Sequence, residues 1–368
     1  MTQKLLALFA HPDDEAFGTG GTLAHYAAEG VNVFLVCATR GEAGEIADPS
    51  FATPETLGQV REAELRCSAE TVGIREVVFL GYRDSGMSGS PENADSRAFI
   101  NAPASGVVSQ LAGIMRRIRP QVVITFEPNG GYGHPDHIAI YRHTVAAFHA
   151  AADQAFHPEQ GPAWRADRLF YTAIPRSFFL EIRDEMAARG MDTSEFARFE
   201  EGGEGGWPDD AVNVTIDVAG NVEAKWEALN CHRTQFGPGN LFRRLPEDVV
   251  KRMMSREYFA LAWPEPAPGA SGKQGQSGRR VGSASGGEGD NQPAGPSPWE
   301  IGFVLPSPFW DGSFITSVPQ GTWPSLGPGP IGFVSHDGSS AGTFVVTPQG
   351  APGVRGRVSG ARSLTPDP

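Results

Sequence analysis

The chain has 368 residues, of which 40% are hydrophobic, so it can bury the core of one large or two ordinary domains. Its net charge of -13, with no cluster of basic residues, excludes proteins that bind nucleic acid or an anionic membrane surface. The N-terminal apolar run ends at His11 and no later run reaches spanning length, so the sequence predicts a cytoplasmic protein. Cys37, Cys67 and Cys231 lack CxxC spacing, and we expect them to be reduced packing residues.

Buried strands and amphipathic helices alternate along the first part of the chain. Continuously apolar strands separated by helices are typical of a parallel sheet covered on both faces. The sequence therefore predicts an α/β fold with a Rossmann-like, mostly parallel sheet. The predicted strands are 5–10, 31–39, 76–80, 122–126, 169–174 and 257–263, with an edge or antiparallel strand at 212–218, and the predicted helices are 19–30, 54–73, 105–119, 138–152, 177–189 and 222–234.

The composition changes after Pro264, where glycine and proline become frequent and helical periodicity disappears. Such a segment can bury little, which indicates disorder. The sequence Ile-Gly-Phe-Val at 301–304 recurs at 331–334, which points instead to a weak β module. We therefore predict a folded domain over 1–265, a low-complexity linker over 266–299 and a Gly/Pro-rich tail over 300–368.

Polar loops follow four of the predicted strands, at residues 11–14, 40–45, 82–87 and 129–137. In a doubly wound sheet, functional groups collect at the carboxyl ends of the strands. We therefore expect these loops to line one site.

Two of these loops carry potential metal ligands. A catalytic zinc typically has three protein ligands and keeps one position for water. His11 and Asp14 lie on one strand-to-helix turn, and either His134 or His137 would supply the third ligand. Two histidines and a carboxylate also suit Fe²⁺. The sequence therefore predicts a Zn²⁺ site that Fe²⁺ could also occupy.

Other residues in the same loops suit hydrolysis. Side chains of neighbouring turn residues diverge, so if Asp14 faces the metal, Asp13 can face its water as a general base. His134, with its tautomer held by Asp136, could donate a hydrogen bond to the developing oxyanion or the leaving group, and Tyr132 offers a second donor. Together these residues predict metal-assisted hydrolysis of an amide or ester.

Two other interpretations stay open. A His-Pro-Asp turn can simply be a helix N-cap, in which the aspartate is the capping group. The glycines at 18–21 and 129–131 could cradle a phosphate, although neither stretch fits the dinucleotide fingerprint or the P-loop. A non-catalytic sugar- or nucleotide-binding Rossmann module is therefore the alternative function.

The motifs Ala-His-Pro-Asp-Asp-Glu at 10–15 and Gly-His-Pro-Asp-His at 133–137 together resemble those of the zinc-dependent LmbE-like deacetylases, or PIG-L superfamily. These enzymes remove acetyl from N-acetylglucosamine conjugates. The resemblance covers about residues 3–263, through 41–45, 61–65, 83–87, 129–132 and the late helix at 225–235. It implies a catalytic domain over 1–265. The tail has no counterpart in the family.

The resemblance also implies roles for individual residues. The implied metal ligands are His11, Asp14 and His137. The implied catalytic residues are the base Asp13, the acid or electrostatic partner His134 with Asp136 orienting it, and the oxyanion donor Tyr132. The residues implied to grip the sugar or its aglycone are Glu45, Arg61 and Asp84.

The longer loops look most like those of members in low-molecular-weight thiol biosynthesis. Their substrate would be N-acetylglucosaminyl inositol, for mycothiol, or N-acetylglucosaminyl malate, for bacillithiol. A superfamily amidase that cleaves a larger thiol conjugate is the alternative. The expected partner is thus a small sugar conjugate, and the sequence leaves open whether the chain forms a homo-oligomer.

Overall fold

A computed structural model describes residues 2–200 and 205–264, together with the backbone at 330–334 and 341–345. The main strands are β1 (Lys4–Phe9), β2 (Asn32–Cys37), β3 (Ile74–Phe79), β4 (Val122–Phe126), β5 (Arg168–Thr172), β6 (Val214–Asp217) and β7 (Arg256–Trp263). They form one sheet in the order β3-β2-β1-β4-β5-β7-β6, in which β7 runs antiparallel to both of its neighbours and the other pairings are parallel. The predicted Rossmann-like, mostly parallel sheet is confirmed.

Helices connect most of these strands. They are α1 (Asp14–Ala28), α2 (Leu57–Thr71), α3 (Ala104–Ile118), the single turn α4 (Gly130–Gly133), α5 (Pro135–Ala152), α6 (Arg176–Ala187), α7 (Val222–Cys231) and α8 (Glu247–Met253). Helix α7 contacts α1 and α2, whereas α3 contacts α5. The crossovers through α1 and α2 run one way across the sheet and those through α3 and α5 run the other way, so right-handed connections place these two groups on opposite faces. Among the described helices, none is both long and apolar enough to cross a bilayer.

Helix α1 begins at Asp14, five residues before the predicted start at residue 19. Glycines near its start weigh against a helix by their intrinsic propensity. A Cβ on Gly21 would lie only 2.6 Å from Val218 Cγ2, so the glycine permits close packing. Tertiary contact therefore outweighs local propensity here. Helix α8 is a further difference, since no helix was predicted over its residues.

The expectation of three reduced cysteines is wrong for two of them. Cys67 near the end of α2 and Cys231 at the end of α7 form a disulfide, with their Cα atoms 5.8 Å apart. The two residues are 164 positions apart in sequence, so no local spacing reveals the pair. Cys37 is a buried free thiol, as expected.

The chain divides into two compact units, Met1–Leu305 and Pro306–Pro368. In the second unit, β8 (Pro330–Val334) pairs antiparallel with β9 (Ala341–Val345). The second copy of the Ile-Gly-Phe-Val repeat lies in β8. The first copy at 301–304 and the predicted linker at 266–299 lie outside the described residues.

Arg116, on α3, anchors the segment that follows α5. This buried guanidinium donates to the carbonyl oxygens of Ala150, Ala151, Asp153 and His157 at 2.6–3.2 Å. Arg116→Met leaves these carbonyls without their donor, and we expect the free energy of unfolding to fall by about 3 kcal/mol.

Urea denaturation measures this loss. The matched control is Arg117→Met, which removes an exposed ion pair to Glu76 and should cost less than about 1 kcal/mol. Equal losses in the two variants would contradict the anchoring role of Arg116.

Candidate active site

The turn after β1 folds around the carboxylate of Asp14. Oδ2 of Asp14 accepts hydrogen bonds from the backbone amides of Ala10 and His11, at 3.1 and 2.8 Å. The side chain of Asp13 makes no capping bond to α1, so simple N-capping does not explain this turn. The turn instead presents His11, Asp13 and Asp14 at the carboxyl edge of the sheet.

The three expected metal ligands converge. Nδ1 of His11 lies 3.1 Å from Nε2 of His137, and that Nε2 lies 3.3 Å from Oδ1 of Asp14. Nδ1 of His11 lies 3.8 Å from Oδ2 of Asp14. Ligands bound tetrahedrally at about 2.0–2.1 Å from zinc are about 3.3 Å from one another, so the spacing suits one ion.

The outer nitrogens of both histidines already face hydrogen-bond acceptors. Nδ1 of His137 lies 3.1 Å from the Gly130 carbonyl oxygen, and Nε2 of His11 lies 3.2 Å from Oδ2 of Asp136. Neutral rings that donate outward carry their lone pairs on the inner nitrogens, which face each other beside the Asp14 carboxylate. Burial lowers the pKa of His11, but Asp136, Asp84 and Asp14 raise it above its ordinary value, so a cation between the inner nitrogens would take the place of a proton on this ring.

Two further clusters overlap this centre. His134 groups with His11 and His137, and Asp84 and Asp136 group with His11, with ligand atoms within 4.8 Å of one another in each group. Nε2 of His11 cannot hold an ion while it donates to Asp136. The set His11, Asp14 and His137 combines two inner nitrogens with a carboxylate oxygen and is the candidate metal site.

Asp13 adopts a backbone conformation that is rare for a residue with a side chain, with φ 122° and ψ −26°. Its Oδ2 lies 3.3 Å from Nη2 of Arg61. Burial raises the pKa of Asp13 to about 6, although Arg61 opposes that rise. A carboxylate with this pKa is ionised at neutral pH and accepts a proton readily, as a general base must.

His134 is buried beside the ligands, with its ring centroid 4.5 Å from that of His11. Burial, together with His11 and His137, lowers the pKa of His134 to about 4, so the ring is neutral at pH 7. Its Nδ1 accepts the amide hydrogen of Asp136 at 3.1 Å, which leaves the ring proton on Nε2. His134 is thus a neutral donor next to His11 and His137.

Asp136 differs from its expected role. Its Oδ2 accepts from the Ser85 amide at 2.9 Å as well as from His11, so the carboxylate orients His11. The tautomer of His134 is fixed by the backbone amide of Asp136 instead. Sequence reasoning placed the right residue at the site but joined its side chain to the wrong histidine, because the fold of the loop was unknown.

Tyr132 lies on the turn α4, with its ring centroid 5.0 Å from that of His137. Its side chain is 60% exposed, so it borders the site without being fixed in it. This position suits a donor that approaches a substrate after binding.

The three residues expected to grip the substrate lie in different surroundings. Arg61 is buried and donates to the carbonyl oxygens of Gly41 and Pro12, at 2.9 and 2.7 Å. Asp84 is buried, accepts from the amides of Ala43 and Gly86, and lies 3.5 Å from Nε2 of His11. Glu45 is exposed. The fold thus brings Arg61 and Asp84 to the centre and leaves Glu45 at the outer rim.

Glu127 is a functional candidate that sequence reasoning missed. Its two carboxylate oxygens accept from the amides of Asn129 and Gly131, both at 2.6 Å, and so hold the turn that carries Tyr132 and the Gly130 carbonyl. Burial raises the pKa of Glu127, while these two amides oppose the rise. A carboxylate directly after a largely apolar strand was the available signal.

Glu127→Gln keeps the shape of this side chain but replaces one acceptor by a donor. We expect kcat to fall about 10- to 100-fold, because the turn loosens around Tyr132 and His137. Steady-state kinetics of the metal-loaded protein measures the effect, with the exposed Glu223→Gln as control. A kcat within twofold of the parent would refute this role of Glu127.

Comparison with known proteins agrees with this geometry. The family model described as PIG-L, GlcNAc-PI de-N-acetylase, matches residues 6–148. A relative from Geodermatophilus obscurus is 37% identical over 271 residues, which cover 71% of this chain and 92% of the relative. The chain belongs to the PIG-L family. Relatives from Rhodococcus erythropolis and Thermobifida fusca are each 39% identical, over 75% and 73% of this chain and 95% and 96% of their own lengths.

All three relatives are named 1D-myo-inositol 2-acetamido-2-deoxy-alpha-D-glucopyranoside deacetylase. As a PIG-L member, the chain is a hydrolytic N-deacetylase. A solved N,N'-diacetylchitobiose deacetylase from Pyrococcus horikoshii shares the fold, with a TM-score of 0.50 and 21% identity over 70% of this chain and 83% of that one.

Proposed function

We propose that the chain hydrolyses the acetamide of N-acetylglucosaminyl inositol, releasing acetate and the free amine in low-molecular-weight thiol biosynthesis. The observation that carries this proposal is the convergence of the inner nitrogens of His11 and His137 on the Asp14 carboxylate, with Asp13 on the same turn. The names of the PIG-L relatives favour inositol over malate as the aglycone.

The proposed ligands are His11, Asp14 and His137, and the proposed ion is Zn²⁺. When bound, zinc polarises the acetamide carbonyl and makes water more acidic. Two histidines and a carboxylate would hold Fe²⁺ in the same way.

The remaining side chains move and hold protons. Asp13 takes a proton from the attacking water, while Arg61 keeps its carboxylate in place. Nε2–H of His134 donates a hydrogen bond to the acetamide oxygen as negative charge develops there, and Asp13 then passes the proton it took from water to the departing amine. The hydroxyl of Tyr132 adds a second donor to that oxygen.

Glu45, Arg61 and Asp84 are proposed to contact the sugar conjugate. Arg61 and Asp84 lie beside Asp13 and His11, with contacts of 3.3 and 3.5 Å, and so belong to the same site. Glu45 at the rim would meet the aglycone.

A substrate panel tests the proposal. Acetate release is measured with N-acetylglucosaminyl inositol, N-acetylglucosaminyl malate and a bulky N-acylated thiol conjugate, using the metal-loaded full chain. We expect kcat/KM for the inositol conjugate to exceed that for the malate conjugate at least about tenfold. Preference for the bulky conjugate would indicate an amidase, and binding without turnover of any of the three would indicate a non-catalytic module.

A further inference from the structure

A cluster of buried polar side chains lies behind Asp13. Glu15, Ser68 and His232 are each at most 1% exposed. Oε1 of Glu15 accepts from Oγ of Ser68 at 2.5 Å and lies 2.7 Å from Nε2 of His232. None of the three has a role in the proposed reaction. Burying a carboxylate is costly unless it is well paired, and an apolar replacement would often stabilise the fold as well, so the cluster calls for a functional reason.

The second oxygen of Glu15 reaches the active-site turn. Oε2 accepts the backbone amide hydrogen of Asp13 at 3.1 Å. That amide belongs to the residue with φ 122°, a conformation that persists only where its surroundings enforce it. From the other side, Arg61 holds the carbonyl oxygen of Pro12 at 2.7 Å. The peptide unit between Pro12 and Asp13 is therefore held at both of its polar atoms.

The residues that hold Glu15 belong to two helices far apart in sequence. Ser68 lies on α2, and His232 directly follows the last residue of α7. Each of them is next to one half of the disulfide between Cys67 and Cys231. The disulfide thus joins the two segments at the residues next to Ser68 and His232, the two side chains that contact Glu15.

We propose that Glu15 is a positioning residue that fixes the backbone of Asp13 and so aims its carboxylate. Ser68 and His232 hold Glu15 in place, and the disulfide keeps their two helices in register. This inference rests on the proposed role of Asp13 as the base. It adds three side chains and a covalent link to the machinery of the reaction, none of which touches the substrate.

Kinetics of Glu15→Gln in the metal-loaded full chain, with N-acetylglucosaminyl inositol, tests the proposal. We expect kcat to fall about 10- to 100-fold, with KM within about twofold of the parent and the metal content unchanged. Because Glu15 acts through Asp13, adding Glu15→Gln to Asp13→Asn should cause no further loss. A kcat within twofold of the parent, or additive losses in the double variant, would overturn the proposal.

The matched control is Glu64→Gln. Glu64 is also buried on α2, and its carboxylate accepts from the amide and hydroxyl of Thr234 at 2.9 and 2.6 Å, but it makes no bond to Asp13. This control should lower Tm and leave kcat unchanged. If Glu15→Gln also lowers Tm alone, its role is structural and the proposal fails.

Ser68→Ala provides an independent variant outside the motif, in case Glu15→Gln does not fold. It removes one hydroxyl, and we expect a smaller fall in kcat at unchanged KM. Full activity of Asp13→Asn would instead refute the proposed function itself, so the two failures are distinguishable.

Reduction tests the contribution of the disulfide. Cys67 is exposed, so dithiothreitol can reach the bond. We expect reduction to lower kcat in the parent protein and to have no effect on a Cys67→Ser/Cys231→Ser variant, which starts from the lowered value. Unchanged kcat after complete reduction would remove the disulfide from the proposal.

Discussion

Asp13→Asn should lower kcat about 10³-fold while the protein keeps its metal and its fold. The amide has nearly the same shape as the carboxylate but cannot take a proton from water, and general-base catalysis contributes about 10²- to 10⁴-fold. The Asp14 carboxylate and both histidine ligands stay in place, so metal analysis should still find one ion per chain.

Acetate release and metal content, measured on the same preparation, check this prediction. Asp192→Asn is a suitable control, since Asp192 is an exposed carboxylate that accepts from the Ser194 amide on the surface. Asp13 is not the base if the variant retains a kcat within threefold of the parent.

His137→Gln should abolish turnover by a different route, through loss of the metal. Without Nε2 of His137, only His11 and Asp14 remain of the converging donors, and removing a ligand weakens binding far more than an outer contact does. Chelation of the parent protein should have the same effect, and added Zn²⁺ or Fe²⁺ should restore only the parent.

Thermal unfolding gives a readout besides activity. An ion at about 100 times its Kd stabilises the folded state by about 2.7 kcal/mol, so chelation should lower the Tm of the parent but not that of His137→Gln. His149→Gln, an exposed histidine on α5, serves as the control. Activity that survives complete chelation would rule out a metal centre.

The sequence alone predicted the sheet and the place of the site because both depend on local signals. Apolar strands followed by polar turns placed His11 and Asp14 at the end of β1, and a second such turn placed His134 and His137 at the end of β4. The pattern left open which histidine is the third ligand, because His134 and His137 lie in the same loop. The contact of His137 Nδ1 with the Gly130 carbonyl turns Nε2 of His137 toward Asp14, which favours His137.

The sequence alone could not predict contacts between distant parts of the chain. The bond between His232 and Glu15 joins residues 217 positions apart, and the disulfide joins residues 164 positions apart. No periodicity or motif specifies such pairs, because they depend on how α7 packs against α1 and α2. The start of α1 was misplaced for a related reason, since Gly18, Gly20 and Gly21 lie against Thr172, Lys225 and Val218, which are all distant in sequence.

The position of β7 determines when the sheet can be completed during synthesis of the chain. Among the described strands of the seven-stranded sheet, β7 comes last in the chain, yet it lies between β5 and β6 rather than at an edge. A nascent chain that already carries His11, Asp14 and His137 therefore lacks a strand inside its sheet until residue 263 has left the ribosome. Because domains fold as units, we expect the sheet to close only after β7 has been synthesised.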